Sequence, residues 1–315
     1  MSWPNNYPDP EDNDRKIAES SSSAPPQTGI LKDFKVGFTL AVKNILSFGL
    51  AMLGIIFVTL VLLVVILLLI VVPILITMGV PFLIWLVQSL VTGFEASSGL
   101  ALIFLIMFLV LPILGPFFVA LGALFGMARE LVESDGTHAE SAFSWYGKRG
   151  LSLLGGGILH FLITLAPLIL AFISISYPVW NPPSDQELRV LIPLILIWII
   201  IVNGMLSLTF PGIIDGLSAV RAAARSVRLA AQFPGRVFGA WFIIVIIVGV
   251  PLLPTFNELA SLWSPLIPLM YLDPYLPLIV VCLVFIVIPA VSIVLTRIYM
   301  ILTAKVDATY TQGGD

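Results

Sequence analysis

The stretch PGIIDGLSAVRAAARSVRLAAQFPGRVFG, residues 211–239, is a polar segment between two long apolar runs. It carries four arginines, at positions 221, 225, 228 and 236. A helix needs about 20 apolar residues to cross a bilayer, and a charged side chain at the bilayer centre costs free energy. We therefore predict that this stretch faces water and that the apolar runs on either side of it cross a membrane.

The composition of the whole chain also indicates a membrane protein. Of its 315 residues, 59% are hydrophobic and 10% are charged, whereas a soluble domain carries about 25% charged residues. The mean hydropathy is +1.09. The chain is therefore predicted to be an all-α integral membrane protein. Its single cysteine, Cys282, excludes an intrachain disulfide and a cysteine-based metal site.

Six apolar runs are long enough to cross the bilayer as helices. We predict spans at residues 47–76, 100–127, 151–175, 190–210, 237–253 and 276–295. The first run is longer than a bilayer requires, so we expect it to tilt or to bend near Pro73. The stretches 81–91 and 263–277 are too short or too rich in proline to span, and we expect interfacial or re-entrant segments there.

The predicted spans divide the chain into three parts. Residues 1–29 are polar and rich in proline and serine, which is typical of a disordered tail. Residues 30–305 form the six-span transmembrane domain, and residues 306–315 form a short C-terminal tail.

Lysine and arginine are distributed very unevenly between the two sides of the predicted membrane. Fourteen of the fifteen lie in the N-terminal segment, in the loops after the second and fourth spans, or near the C-terminus. Arg189 alone lies on the other side. Cytoplasmic segments carry the excess of positive charge in membrane proteins, so we predict that both termini are cytoplasmic.

Three segments of the sequence resemble one another and begin at residues 34, 139 and 220. Each consists of a weakly polar helical stretch, a short break and a glycine-containing span. The breaks lie at residues 43–44, 148–149 and 234–236. A second span follows the glycine-containing span in each segment. The pattern therefore predicts three copies of a unit made of an interfacial amphipathic helix and a membrane hairpin. The alternative is that the three segments are not repeats, because any basic cytoplasmic loop between two spans has a similar sequence pattern.

The basic residues of these interfacial helices are candidate contacts for anionic lipid headgroups or for a partner. In the first helix, lysines flank an apolar stripe, so the helix can lie in the headgroup plane. In the third, arginines share one face and small residues share the opposite face, so we expect it to pack on the protein. Each charge near the surface contributes about 1 kcal/mol to binding anionic lipid; the alternative is that the charges only set topology. The candidate residues are Lys32, Lys35, Lys43, Arg221, Arg225, Arg228 and Arg236.

Polar side chains inside the predicted spans form a second group of candidates. His160 lies in the third span and Asn203 in the fourth. Each either joins neighbouring helices by a hydrogen bond or contributes to a site for a solute or a proton. No acidic or basic residue lies firmly in the middle of a span, which argues against an ion-coupled transporter.

Motifs for catalysis, metal binding or cofactor binding are not recognisable in this sequence. It contains two histidines and one cysteine, no glycine-rich phosphate loop and no nucleophile motif. We therefore expect a protein that is not an enzyme, with no catalytic residues, no metal, no cofactor and no nucleic-acid partner.

The segment TFPGIIDGLSAVRAAARSVRLAAQFPGRVFGAWF, residues 209–242, resembles a segment that recurs in prokaryotic multi-pass membrane proteins. These include the membrane domain attached to some glycerophosphodiester phosphodiesterases and related domains of unknown function. The matching positions, including those of a similar earlier segment at 116–150, are Pro211, Asp215, Ala219, Ser226, Arg228, Pro234, Gly235, Pro116, Gly122 and Phe143. The chain lacks a phosphodiesterase domain, so the resemblance implies only a six-helix prokaryotic membrane domain with interfacial helices.

Two functions fit this sequence. The first is a non-enzymatic lipid-interacting or scaffolding module in a prokaryotic cytoplasmic (inner) membrane. Its basic helices would face anionic membrane lipids or a partner, either a second copy of the chain in a homo-oligomer or another membrane protein. The alternative is a transporter or permease for a small or amphiphilic solute, with a mid-membrane site near His160 and Asn203.

Overall fold

The computed structural model describes residues 29–93, 99–134, 136–176, 185–252 and 275–312. These residues are almost entirely helical, and none of them belongs to a β-strand. The predicted all-α class is therefore confirmed. The predicted disordered tail, except for Gly29, lies outside the described residues, and so does most of the stretch 263–277.

Ten α-helices follow one another within the described parts of the chain. They are α1 (Ile30–Lys43), α2 (Ile45–Gly93), α3 (Gly99–Ser134), α4 (Ala139–Ser176), α5 (Asp185–Leu206), α6 (Thr209–Ile214), α7 (Ala219–Gln232), α8 (Pro234–Leu252), α9 (Leu276–Cys282) and α10 (Ile288–Gln312). A π-helical turn, Leu283–Val287, joins α9 to α10. Residues 306–312, predicted to be part of a short tail, continue α10.

Four helical stretches of the described chain are long and apolar enough to cross a membrane. They are Ile45–Val65, Pro193–Ile214, Pro234–Pro251 and Leu276–Ala308. They agree with the predicted membrane protein. Six spans are not confirmed, because the runs predicted at 100–127 and 151–175 lie inside α3 and α4, which are not among these four.

Helix α2 is interrupted at Gly79, six residues beyond the bend predicted near Pro73. Gly79 has φ 75° and ψ 171°, a conformation that glycine adopts without a Cβ penalty. Pro81 follows, and its ring would clash with the carbonyl four residues earlier in a continuous helix. The helix therefore breaks at Gly79, two residues before Pro81, and the stretch 81–91, predicted to be interfacial or re-entrant, is helical beyond the break.

Two of the three predicted breaks after an interfacial helix are present. Helix α1 ends at Lys43 and is followed by Asn44, and α7 ends at Gln232 and is followed by Phe233, one residue before the predicted break. The break predicted at residues 148–149 is wrong, because α4 is one continuous helix from Ala139 to Ser176. Neither Lys148 nor Arg149 prevents helix formation, whereas proline follows directly after Phe233.

The tightly packed region lies where the long helices adjoin α1 and α7. Phe48, Leu153 and Ile298 are fully buried there. Farther along α2, and on α9, large apolar side chains such as Leu69 and Leu278 are exposed. Exposed apolar side chains on such helices suit a lipid environment better than water.

Glycines allow α3 and α4 to approach each other closely. A Cβ added at Gly126 would overlap the ring of Trp145, and one added at Gly157 would overlap the ring of Phe118. Small residues at such positions permit close helix packing in membranes. Gly126, part of a GxxxG spacing in the sequence, therefore contributes to packing within the chain.

Candidate functional site

Helix α7 packs its small residues against the protein, as predicted. Ala223, Ser226 and Ala230 are buried, and Ser226 connects α7 to the junction of α5 and α6. Its hydroxyl donates to the carbonyl of Met205 at 2.6 Å and accepts from the backbone N–H of Leu208 at 3.1 Å. These bonds use backbone groups that the break between α5 and α6 leaves unpaired.

The opposite face of α7 borders a groove of about 380 Å³. We call it the arginine groove; α7 and the end of α10 line it with Arg221, Arg225, Arg228, Gln232, Val306 and Asp307. The sequence had predicted the shared arginine face, but not that the C-terminal helix would form the other wall. The groove brings three of the candidate residues together.

Arg225 is held between α10 residues on two sides. Its Nη2 lies 3.8 Å from Oδ1 of Asp307, whose side chain is 66% exposed. Its guanidinium carbon lies 5.8 Å from the ring centroid of Tyr299. An arginine over an aromatic face is attracted by the ring quadrupole, so Tyr299 favours this position of Arg225.

Tyr299 is itself fixed by a polar network beneath the groove. Its hydroxyl donates to Oδ2 of Asp215 at 3.1 Å, and the other oxygen of Asp215 accepts from Nη1 of Arg129. Nε of Arg129 donates to Glu133 at 2.7 Å. Burial disfavours the charged guanidinium of Arg129, but the hydrogen bonds and charges of Asp215 and Glu133 outweigh it and raise its pKa. The network ties α3, the loop before α7 and α10 together.

Arg236, predicted to contact a lipid headgroup or a partner, contacts a carboxylate inside the protein. Its Nη2 lies 2.6 Å from Oδ2 of Asp33, and Nε of Arg297 donates to Oδ1 of the same residue at 2.9 Å. The side chain of Asp33 is fully buried. The sequence reasoning did not identify Asp33, although Arg297 beside a long apolar run was a signal that a buried partner was needed.

The three candidate lysines of α1, Lys32, Lys35 and Lys43, are all exposed. The apolar stripe of this helix is divided between two environments. Phe34 is buried against the protein, whereas Leu31 is 76% exposed. The face of α1 that carries Asp33 is therefore turned toward the core, and part of the apolar stripe lies at the surface.

His160 and Asn203 contact each other across α4 and α5. Nε2 of His160 donates to Oδ1 of Asn203 at 2.5 Å, and the amide of Asn203 donates to the carbonyl of Ile199 at 2.8 Å. Nδ1 of His160 is buried and has no hydrogen-bond partner among the described residues. The pair joins the two helices, as one of the two interpretations of these residues predicts.

No group of three or more histidine, cysteine, aspartate and glutamate residues that could hold a metal ion occurs in the described ranges. No protein-family model matches the chain, and no curated protein or solved structure matches it either. The resemblance to the phosphodiesterase-associated membrane domains therefore stays a prediction.

Proposed function

We propose that this protein is a non-enzymatic multi-pass membrane protein that binds anionic lipid headgroups through a basic surface. The basic surface consists of Lys32, Lys35, Lys43, Arg221, Arg225 and Arg228. The observation that carries the proposal is the arginine groove, in which three arginines share one face while the opposite face of α7 is packed on the protein. Each such charge near an anionic membrane surface contributes about 1 kcal/mol of binding.

The proposal includes six spans and cytoplasmic termini in a prokaryotic inner membrane. The distribution of lysine and arginine supports this topology, since only Arg189 lies on the predicted outer side. Helices α3 and α4 supply the two spans beyond the four apolar stretches. Because an even number of spans separates α1 from α7 and α7 from the end of α10, these three elements lie on the same side of the membrane.

Cysteine labelling tests the topology. In a variant with Cys282→Ser and Glu95→Cys, we expect a membrane-impermeant maleimide to label intact cells but not inside-out vesicles. A matched variant with Lys305→Cys should give the reverse result. Labelling of position 95 from the cytoplasmic side would contradict six spans.

Helix positions support the proposed repeat for its first and third copies. Helices α1 and α7 each have 14 residues and follow a residue with φ −69° and ψ near 155°. The same four helix positions are buried in both: Asp33 and Ala222, Phe34 and Ala223, Gly37 and Ser226, Ala41 and Ala230. Equal length and equal buried positions are expected of two copies of one unit.

The packing partners of the three interfacial segments follow a cyclic order. Helix α1 contacts α8 and α10, the first turns of α4 contact α2 and α3, and α7 contacts α4 and α5. Besides contacts within its own unit, each segment therefore packs on the hairpin of the preceding unit, and the first packs on the last. We infer a ring of three units from this order.

Lipid retention tests the proposed function directly. We expect the full-length protein, purified in detergent and titrated with lipids, to retain phosphatidylglycerol in preference to phosphatidylcholine in native mass spectra. The preference should weaken as ionic strength rises, because salt screens exposed charges. Equal retention of the two lipids would overturn the proposal and leave the arginines with a topological role.

The side chain of His160 carries the alternative function, a transporter for a small or amphiphilic solute. It places a buried, unpaired Nδ1 atom between α4 and α5, counting only the described residues as partners. Solute uptake can be measured with proteoliposomes that contain the protein. If Asn203→Leu abolishes this uptake but keeps the preference for phosphatidylglycerol over phosphatidylcholine, the transporter is favoured over the lipid-binding module.

A further inference from the structure

The arginine groove has a composition that a general attraction to anionic lipids does not require. Its wall combines the guanidinium groups of Arg221, Arg225 and Arg228 with one carboxylate, Asp307, and with apolar side chains such as Leu229. Its volume of about 380 Å³ falls among pockets that hold small ligands, about 300–1,000 Å³. A charged pocket with an apolar wall suits a ligand that is itself anionic and amphiphilic.

Arg225 is oriented before any ligand arrives. The ring of Tyr299 lies against its guanidinium, and Asp215 holds the hydroxyl of that tyrosine. Pre-orientation reduces the side-chain entropy that binding would otherwise cost. A guanidinium presents two parallel N–H groups, which match two oxygens of a phosphate.

Asp307 occupies a position that an anionic ligand would compete for. Its carboxylate lies 3.8 Å from Arg225, beyond ordinary hydrogen-bond distance, and its side chain is 66% exposed. An exposed ion pair of this kind is weak, so a phosphate can displace the carboxylate from Arg225.

We propose that the arginine groove is a binding site for a phosphate monoester, whose phosphate contacts Arg221, Arg225 and Arg228 and displaces Asp307 from Arg225. Three arginines and one aspartate give the groove a formal charge of about +2, and a phosphate monoester carries about −1.5 to −2 at pH 7. A phosphodiester carries a single negative charge and therefore neutralises only part of the positive charge of the groove. The inference rests on the proposed function and specifies its ligand.

The experiment compares two anionic lipids on the full-length protein in detergent. We expect dioleoyl phosphatidic acid, a monoester, to bind about fivefold more tightly than dioleoyl phosphatidylglycerol, a diester, as one added charge of about 1 kcal/mol implies. Equal affinities, with both lipids bound more tightly than phosphatidylcholine, would overturn this inference and leave the proposed function standing. Equal affinities for all three lipids would overturn both this inference and the proposed function.

A matched pair of variants tests the position of Asp307. Asp307→Asn should raise the affinity for phosphatidic acid about fivefold, because it removes the competing carboxylate. Glu140→Gln removes the same charge from the exposed start of α4 and should leave the affinity unchanged. An equal gain in the two variants would show that only net charge matters and would contradict a site in the groove.

Arg225→Lys keeps the charge but removes the guanidinium fork. We expect phosphatidic acid to bind this variant more weakly than the unsubstituted protein, because an ammonium group cannot pair with two phosphate oxygens in parallel. An unchanged affinity would contradict paired phosphate binding at Arg225. Inorganic phosphate distinguishes a soluble ligand from a lipid headgroup. If inorganic phosphate binds with a millimolar dissociation constant that is no higher than that of phosphatidic acid, the site belongs to a soluble monoester. If inorganic phosphate binds much more weakly than phosphatidic acid, the site belongs to a lipid. No binding of either probe would overturn the inference.

Discussion

Replacing Asp33 with asparagine is expected to lower the free energy of unfolding by about 3–5 kcal/mol. The carboxylate is fully buried and lies within 2.6 Å and 2.9 Å of the guanidinium groups of Arg236 and Arg297. Removing its charge leaves the two largely buried guanidinium groups beside a neutral amide in place of a carboxylate. Thermal unfolding in detergent, followed by the fluorescence of the seven tryptophans, measures the effect.

The control for this variant is Asp307→Asn, which removes a carboxylate from an exposed ion pair. We expect a change of less than about 1 kcal/mol there. A double variant, Asp33→Asn with Arg236→Gln, should be less destabilised than the sum of the single changes, because contacting charges do not act additively. An Asp33→Asn protein as stable as the unsubstituted one would show that the buried cluster does not hold α1 in place.

Replacing Arg221, Arg225 and Arg228 together with glutamine is expected to weaken binding of phosphatidylglycerol by about 100-fold. Three charges at about 1 kcal/mol each make about 3 kcal/mol, and 1.36 kcal/mol corresponds to a factor of ten. Because all three side chains line the groove and none belongs to the packed face of α7, that face is unchanged and the helix should remain folded. Titration of the purified protein with the lipid in native mass spectra measures the loss.

Two controls separate charge from position. Lysine at the same three positions keeps the charge and should restore most of the phosphatidylglycerol binding. Glutamine at Lys32 and Lys35, exposed on α1, measures how much of the binding the rest of the basic surface supplies. If the triple glutamine variant binds the lipid like the unsubstituted protein, the arginines act only in topology.

The shared face of the arginines could be predicted from the sequence because helix periodicity is local. Residues at i, i+4 and i+7 lie on one side of any α-helix, and the alanines opposite them indicated a packed face. Structure confirmed both the helix at Ala219–Gln232 and its buried residues. The second wall of the groove was not predictable in this way, because Asp307 is 82 residues from Arg225 along the chain.

By itself, the sequence determined that this is an all-helical chain with membrane-like apolar helices, and it located the arginine helix between them. Composition and periodicity suffice for that, since each span must satisfy its own backbone hydrogen bonds and present apolar side chains. Only the tertiary structure decided that Arg236 faces Asp33 and not the surface, because these residues lie 203 positions apart. Arg297 completes the cluster from 264 positions away. Pairings at such separations depend on which helices pack together, and no local pattern of residues contains that information.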